Sequence, residues 1–328
     1  MRAVVCHSLN LSDNLQVDDV DEPVVGSDQV VVQVEAVGLS YLDAVFIEGT
    51  YQIAHPTPFI PGGEFAGRVV EVGEYVSDFT VGDVVAGESI VGALAERVAV
   101  SRLQLTKVPV GISTTLASTV LQSYSTALYA LTRRTVVVPG QSLLVLGAGG
   151  GVGLACVDVA ISLGASVVAV ASSPEKRRAA TSLGAQHVID PASEDLKMRT
   201  RELFSTGVDV VVDPVGGTLA EPALRALGYG GHYLVVGFAS GTIPKIPLNL
   251  VLLNNRSVIG VESAIAFEKN PELARSLYDD VMTGLREGHY HPLEPKTVSL
   301  AEVSETLRAI RNRQVVGKVA VIPREWLT

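Results

Sequence analysis

The most informative stretch of this chain is Ser142-Leu143-Leu144-Val145-Leu146-Gly147-Ala148-Gly149-Gly150-Gly151-Val152-Gly153. Its apolar first half predicts a buried strand, and residues 154–161 predict a helix. A glycine turn between a strand and a helix N-terminus presents backbone N–H groups to a phosphate. The strict G-x-G-x-x-G spacing is not met, and the best frame is Ala148-x-Gly150-x-x-Gly153. Because many glycine turns bind no ligand, the residues around this one must show whether it binds a phosphate.

The residues after this helix complete a strand–helix–strand unit. Gly164 is placed to end the helix, and residues 166–171 are nearly all apolar, which is typical of a parallel strand buried on both faces. Strands and helices then alternate as far as residue 261. This alternation predicts a doubly wound parallel sheet with a dinucleotide site at the glycine turn.

The residues after the second strand indicate which dinucleotide binds. NAD-binding units usually carry Asp or Glu about 20 residues after the glycine turn, where it binds the ribose 2′-hydroxyl. Here Ser172 and Ser173 take that place, followed by Lys176, Arg177 and Arg178. Because hydroxyls and cations suit a 2′-phosphate, we predict NADPH as the cofactor. The alternative is that these cations only form the exposed first turn of the next helix.

Length and composition exclude several other classes. A chain of 328 residues favours two domains, and 47% hydrophobic residues fit a large core. No apolar run is long enough to span a membrane and no signal peptide is evident, so we expect a cytoplasmic protein. A net charge of −10 without a long basic run disfavours nucleic acid as a partner. Cys6 and Cys156 are far apart in sequence and indicate neither a disulfide framework nor a cysteine zinc site.

The first 110 residues differ from the rest, because short β-rich runs there alternate with Gly and Pro. They predict a β-barrel-like or partly open all-β domain. Within and beyond this region lie ordered blocks such as residues 34–43 (VEAVGLSYLD), 58–67 (PFIPGGEFAG) and 213–217 (DPVGG). With these blocks, the chain resembles the zinc-free medium-chain dehydrogenase/reductases, specifically the NADPH:quinone oxidoreductases, over essentially its whole length.

The resemblance implies an α/β protein of two domains. A GroES-like, β-barrel-type substrate domain would comprise residues 1–122 and 262–328, and a Rossmann NADPH-binding domain would comprise residues 123–261. The cofactor would lie in the cleft between them, and a homodimer is expected because dimers are common in the family.

The resemblance also implies the cofactor contacts. Thr126 would lie near the phosphates or the nicotinamide ribose. Lys318 would lie near the cleft, although a surface lysine is an equal possibility. The other expected contacts are Gly150, Gly151 and Val152 at the pyrophosphate, Ser172, Ser173, Lys176 and Arg177 at the 2′-phosphate, and Gly237, Phe238 and Ser240 at the nicotinamide end.

Two positions bear on metal binding. Zinc-dependent relatives carry Cys where this chain has Ser40 and His where it has Gly63. A catalytic zinc needs about three protein ligands, so we expect no metal. His289 and His291 could bind a metal in principle, but an exposed loop pair is the simpler interpretation.

Ser40 and Tyr41 are the candidates for orienting the substrate. Many relatives carry Asn at the place of Ser40, so its role here is open. Either hydroxyl could donate a hydrogen bond to a developing oxyanion, with water as the proton source. Tyr41 could equally be an aromatic residue that packs the domain.

These features together predict an enzyme that transfers hydride from NADPH to a quinone or related activated acceptor. An enone or enoyl-thioester double-bond reductase carries the same motifs. The lack of an obvious general acid also leaves a non-catalytic NADPH-binding protein as an alternative.

Overall fold

The computed structural model describes residues 1–9, 14–51 and 55–323. The chain forms two compact units. The barrel unit contains Met1–Gln122, Phe267–Glu287 and Glu294–Thr328, and the parallel-sheet unit contains Ser123–Ala266 and Gly288–Leu293. The chain therefore leaves the barrel unit and returns to it twice.

The strands are, in chain order, β1 (Arg2–Cys6), β2 (Leu15–Asp19), β3 (Gln29–Leu39), β4 (Glu64–Val72), β5 (Val84–Glu88), β6 (Arg97–Ser101), β7 (Leu105–Lys107), β8 (Ser142–Leu146), β9 (Ser166–Val170), β10 (His187–Ile189), β11 (Val208–Asp213), β12 (Leu227–Val235), β13 (Ser257–Gly260), β14 (Lys296–Val298) and β15 (Val319–Val321).

The α-helices are α1 (Tyr41–Glu48), α2 (Thr114–Ala117), α3 (Leu121–Leu128), α4 (Gly151–Ser162), α5 (Pro174–Ser182), α6 (Leu196–Leu203), α7 (Ala220–Ala226), α8 (Asn249–Leu252), α9 (Ser263–Lys269), α10 (Pro271–Glu287) and α11 (Val303–Arg311). A π-helical turn, Tyr129–Arg134, continues α3. Among the described residues, no helix is both long and apolar enough to cross a membrane.

The barrel unit is organised around β3, an eleven-residue strand that is buried along most of its length. This strand pairs antiparallel with β4, β6 and β15, and the sheet runs in the order β14-β15-β3-β4-β5-β7. Valine dominates β3 because β-branched side chains pack well on a pleated, buried surface. Near the end of β3, the backbone of Ser118, which follows α2, comes so near that a Cβ on Gly38 would lie 2.0 Å from the Ser118 carbonyl oxygen.

The parallel-sheet unit has six strands in the order β10-β9-β8-β11-β12-β13, and every neighbouring pair is parallel. Counted from β8, this is the order 3-2-1-4-5-6 of the doubly wound dinucleotide-binding fold. All five residues of β8 are buried, as its apolar sequence predicts for a central strand. The predicted α/β class is therefore confirmed. The strand order reverses beside β8, which is where ligands bind in such sheets.

The short return segment Gly288–Leu293 is fixed to the parallel-sheet unit by a buried carboxylate. Asp158 on α4 is 3% exposed. Its Oδ2 accepts the Tyr124 hydroxyl at 2.7 Å and the His291 backbone N–H at 2.6 Å. Burial raises the pKa of Asp158, and these donors oppose that rise. His291 is therefore tied to this carboxylate through its backbone.

Candidate functional site

The glycine turn joins β8 to α4 as the sequence predicts. Gly150 is the N-cap residue of α4, and as a glycine it has no side chain to accept hydrogen bonds from the first N–H groups of the helix. Those donors and the positive end of the helix dipole are therefore available to an anion.

The glycines of this turn serve different purposes. Gly147 has φ of +61°, a left-handed conformation that favours glycine, and a Cβ on Gly153 would lie 2.2 Å from the Gly147 carbonyl oxygen. Both are required by the fold itself. At Gly150, by contrast, φ is −98°, and the described atom nearest to an added Cβ would be the Gly147 oxygen, 3.8 Å away.

The space beside Gly150 tests whether a dinucleotide fits. The protein itself leaves room for a side chain there, so packing within the chain does not require this glycine. A pyrophosphate at the N-terminus of α4 would require it, because it approaches the backbone closely. Gly150, Gly151 and Val152 are thus suitably placed to hold it.

The residues predicted at the 2′-phosphate are two serines, a lysine and an arginine, and the lysine lies close to the glycine turn. Ser173 caps α5 by accepting the Lys176 backbone N–H at 3.3 Å, and Ser172 is exposed. The stem of Lys176 lies across Gly149, where a Cβ would meet three of its carbons within 2.6 Å. Lys176 therefore lies directly over the glycine turn.

The neighbouring arginines are held by the protein. Arg177 donates to the Ala171 carbonyl at 2.9 Å and forms an ion pair with Asp190 at 3.1 Å, so it joins the ends of β9 and β10. Arg178 pairs with Glu175 on the same helix at 3.3 Å. Arg177 and Arg178 are therefore both paired with carboxylates of the protein.

Asp213, at the end of β11, organises a second turn that sequence reasoning left without a role. It is 2% exposed, and its Oδ1 accepts the N–H groups of Val215 and Gly216 at 2.8 and 2.7 Å. Its Oδ2 accepts the hydroxyl of the buried Tyr233. Burial, followed by the Asp213 charge, raises the pKa of Tyr233. The sequence signal for this turn was the segment Asp213-Pro214-Val215-Gly216-Gly217, because Asp, Pro and Gly at the end of a strand favour a turn.

The residues predicted at the nicotinamide end lie on a loop that packs against this second turn. Ala239 N–H donates to the Pro214 oxygen at 3.1 Å, and Ser240 N–H donates to the Val215 oxygen at 2.9 Å. A Cβ on Gly216 would lie 2.9 Å from Phe238 Cδ1. Loop 236–241, which holds Gly237, Phe238 and Ser240, is therefore attached to the residues that Asp213 orders.

The two turns also meet each other. A Cβ on Gly147 would lie 2.7 Å from Val215 Cγ2, so the glycine turn and the Asp213 turn are in contact at the carboxyl edge of the sheet. Thr126, on α3 in the same unit, is 6% exposed and its Oγ1 lies 3.0 Å from Ser263 Oγ. Its contact with a cofactor stays a prediction.

In the barrel unit, Ser40 begins α1. Its hydroxyl donates to Asp43 Oδ2 at 2.7 Å and accepts the Asp43 N–H, while the Ser40 N–H donates back to the same carboxylate. This is a reciprocal capping box. Because the hydroxyl proton points at Asp43, donation to an oxyanion would require Ser40 to change partner.

Tyr41 follows on the same helix and packs against α11. Its hydroxyl oxygen accepts an N–H of Arg311 at 2.7 Å, and the guanidinium carbon lies 5.4 Å from its ring centre. The same arginine binds Glu48 at 2.7 Å. This geometry explains Tyr41 as a packing residue, and its contact with substrate stays a prediction.

Lys318 lies inside the barrel unit, 12% exposed, with its Nζ 2.9 Å from Glu64 Oε2. Glu64 is 1% exposed and also accepts the Gln122 N–H at 3.1 Å. On the adjacent strand, Glu88 accepts the Tyr278 hydroxyl at 3.0 Å. Burial, followed by the charge of Glu64, raises the pKa of Glu88 to about 7, against the opposing effect of Tyr278. Sequence reasoning did not identify this cluster beyond Lys318.

No grouping of three or more His, Cys, Asp or Glu side chains able to hold a metal ion occurs among the described residues. At the two positions where zinc-dependent relatives would carry ligands, Ser40 caps α1 and Gly63 stands beside Asp43, to which a Cβ would lie 3.8 Å away.

Comparison with known proteins agrees with this architecture. Residues 26–110 match the alcohol dehydrogenase GroES-like domain, and residues 151–275 match the family model described as zinc-binding dehydrogenase. Quinone oxidoreductase-like protein 2 of Bos taurus is 37% identical over 321 residues, which cover 97% of this chain and 91% of the relative.

Solved structures agree as well. The quinone oxidoreductase of Thermus thermophilus, solved with and without NADPH, is 31% identical with a TM-score of 0.85 over 98% of this chain and 100% of that one. The CurK enoyl reductase is 25% identical with a TM-score of 0.88 over 98% and 99% of the two chains. The GroES-like and Rossmann-like architecture is thereby confirmed.

The raised pKa of Glu88 makes stability depend on pH. Its ordinary value is 4.5, so between pH 4.5 and about 7 the unfolded chain ionises while the folded protein keeps the proton. The contribution of Glu88 to the free energy of unfolding is therefore fully present below pH 4.5. It is lost as the pH rises from 4.5 through 7, by up to about 3 kcal/mol. In urea unfolding at pH 5 and pH 8, Glu88→Gln should reduce this decline, to which the other buried carboxyl groups with raised pKa values also contribute, whereas Glu71→Gln, on the exposed side of β4, should keep it in full. Parallel declines in all three proteins would contradict the assignment.

Proposed function

This chain belongs to the medium-chain dehydrogenase/reductase family, among its quinone oxidoreductase-like members, and we propose that it transfers hydride from NADPH to a quinone or related activated acceptor. The observation that supports this most is the turn at Gly150. Its backbone is open to a ligand on the side where the helix N-terminus would attract a pyrophosphate. The NADPH complex of the Thermus thermophilus relative adds support for the cofactor.

The proposed cofactor contacts follow from the two turns. Gly151 and Val152 donate N–H groups to the pyrophosphate, and Gly150, whose own N–H is donated to the Gly147 oxygen at 3.1 Å, allows its close approach. Lys176, lying over the glycine turn, holds the 2′-phosphate with Ser172 and Ser173. Because Arg177 is engaged with Asp190, its main effect is to fix the end of β9 on which these serines lie.

When bound, NADPH supplies the hydride. The chain's part is to orient the nicotinamide and keep it away from water, for which Phe238 and the loop around it are suitable. That loop is held to the Asp213 turn by two backbone hydrogen bonds. We propose that the reaction uses no metal, since Ser40 and Gly63 supply neither thiolate nor imidazole.

The acceptor class separates the proposal from its closest alternative. The likeness to the CurK enoyl reductase favours an enone or enoyl-thioester reductase as the second candidate. Steady-state NADPH oxidation with a quinone panel and an enone panel distinguishes the two. We expect turnover with quinones. Turnover with enones alone would contradict the quinone proposal, and tight NADPH binding without turnover on either panel would indicate a non-catalytic protein.

Lys176 provides the test of cofactor choice. We expect Lys176→Ala to weaken NADPH binding by about tenfold or more while changing NADH binding little, because only NADPH has the 2′-phosphate. Fluorescence titration with both cofactors measures this. Arg178→Ala is the matched control, because Arg178 is exposed on the same helix and paired with Glu175. Equal losses for NADPH and NADH in Lys176→Ala would exclude the assignment.

Gly150 provides the test of the pyrophosphate site. Since the fold leaves room for a Cβ there, Gly150→Ala should keep the thermal unfolding midpoint close to that of the wild type and weaken both NADPH and NADH by about 1–2 kcal/mol. Gly153→Ala should instead lower the unfolding midpoint, because its Cβ would collide with the Gly147 oxygen. Unchanged dinucleotide affinity in a folded Gly150→Ala protein would be evidence against the site.

We further propose that the protein is a cytoplasmic homodimer. Strand β13 is an edge strand, and nearby Tyr229, Leu252 and Leu253 are more than 70% exposed. Pairing β13 with its copy would cover this apolar edge. Light scattering should give a dimer for the wild type and a monomer for Val258→Lys, since Val258 on β13 is 44% exposed. A monomeric wild type would contradict the dimer.

A further inference from the structure

Asp213 binds the two loops that leave the carboxyl ends of β11 and β12. Its Oδ1 accepts the N–H groups of Val215 and Gly216, within the turn that follows its own strand. Its backbone oxygen accepts the N–H groups of Val236 at 2.9 Å and Gly237 at 3.3 Å, where β12 passes into the next loop. One residue therefore fixes the start of both loops, and all of these residues belong to the parallel-sheet unit.

The other carboxylate oxygen of Asp213 is held by Tyr233, which lies on β12. Tyr233 is 1% exposed, and its hydroxyl donates to Asp213 Oδ2. Because β11 and β12 are neighbours in the sheet, this hydrogen bond joins the two strands close to the points where their loops begin. A buried carboxylate depends on such donors, since water does not readily replace one that is lost.

The turn that Asp213 orders also supports an aromatic ring. Gly216 has φ of +65° and Gly217 has φ of +64°, so two successive residues take the left-handed φ that favours glycine. Two glycines allow the chain many other conformations, and the hydrogen bonds to Oδ1 favour this one. A Cβ on Gly216 would lie 2.9 Å from Phe238 Cδ1, so the ring of Phe238 rests on the turn. The position of the ring therefore follows that of the turn.

We propose that Asp213 and Tyr233 are positioning residues for hydride transfer, which hold the loop that orients the nicotinamide. The inference rests on the proposed function, because it assumes that the nicotinamide lies at Phe238 and the loop around it. Neither Asp213 nor Tyr233 needs to touch the cofactor or the acceptor, since both act through the backbone of loop 236–241.

The two ends of the cofactor should respond differently to a loss of this support. In the proposed function the pyrophosphate lies at the glycine turn and the 2′-phosphate at Lys176, and neither depends on loop 236–241. Loss of the Tyr233 hydroxyl should therefore leave the adenosine end in place and misalign the nicotinamide. Because a displacement of about 1 Å can lower a rate by roughly a hundredfold, a small misalignment should lower kcat more than affinity.

Steady-state kinetics of Tyr233→Phe test this role, with the acceptor that the wild type reduces fastest. We expect kcat to fall about tenfold. The isotope effect on kcat with NADPH deuterated at C4 should rise, because hydride transfer becomes slower relative to the other steps. The dissociation constant of adenosine 2′,5′-bisphosphate, which lacks the nicotinamide, should stay within about twofold of the wild-type value.

The control is the same substitution elsewhere on β12. Tyr229 lies near the opposite end of that strand, where its hydroxyl accepts a hydrogen bond from Asn255, so Tyr229→Phe should behave as the wild type. Asp213→Asn should also lower kcat. Adding Tyr233→Phe to it should lower kcat little further, because both changes act on the same hydrogen bond.

Hydrogen exchange tests the support of the loop without a cofactor. The backbone amides of loop 236–241 should exchange about tenfold faster in Tyr233→Phe than in the wild type, and at the wild-type rate in Tyr229→Phe. Exchange that is unchanged in Tyr233→Phe would overturn the proposal, because the loop would then not depend on this hydrogen bond.

The kinetic outcomes separate this inference from the proposed function. Unchanged kcat and isotope effect in Tyr233→Phe would overturn the positioning role and leave the proposed function standing. Equal losses of kcat and of affinity for adenosine 2′,5′-bisphosphate would also overturn it, because they would indicate general damage to the fold. A wild type that oxidises NADPH with no acceptor would overturn the proposed hydride transfer and the positioning role with it.

Discussion

The close packing of α4 on the turn that follows β8 is the constraint on which the candidate site depends. Gly153 lies against the Gly147 carbonyl so tightly that a methyl group has no room. This contact directs the N-terminus of α4 along the edge of the sheet, and it places Gly150 where its backbone is open. The Asp213 turn then packs on Gly147 through Val215, so the two turns meet at Gly147.

The barrel unit buries several ionisable side chains between its strands. Lys318 offsets Glu64, and Tyr278 and Gln122 provide hydrogen bonds, but the cluster still contains more acid than base. A buried carboxylate without a compensating charge lowers the stability of the folded protein unless it takes up a proton. Carboxyl groups with such perturbed pKa values often occur at functional sites.

The sequence predicted the parts of the structure that depend on local patterns. The apolar run of β8, the glycine turn and the alternation of strands and helices follow from periodicity. The capping box of Ser40 and Asp43 is also local and could have been read from their spacing. The sequence could not reveal that Arg177 pairs with Asp190 or that Tyr233 binds Asp213, because those partners meet through sheet register. The cluster of Glu64, Glu88 and Tyr278 could not be predicted either, because it forms only when β4 pairs with β5 and α10, distant in sequence, packs beside them.

We propose that the N-terminus of α4 receives the pyrophosphate of a dinucleotide. A crystal structure of the protein saturated with NADPH would locate that pyrophosphate. We expect its oxygens within hydrogen-bonding distance of the backbone nitrogens of Gly151 and Val152, with the 2′-phosphate beside Lys176. A cofactor bound elsewhere, or a pyrophosphate without contacts to this turn, would exclude this site.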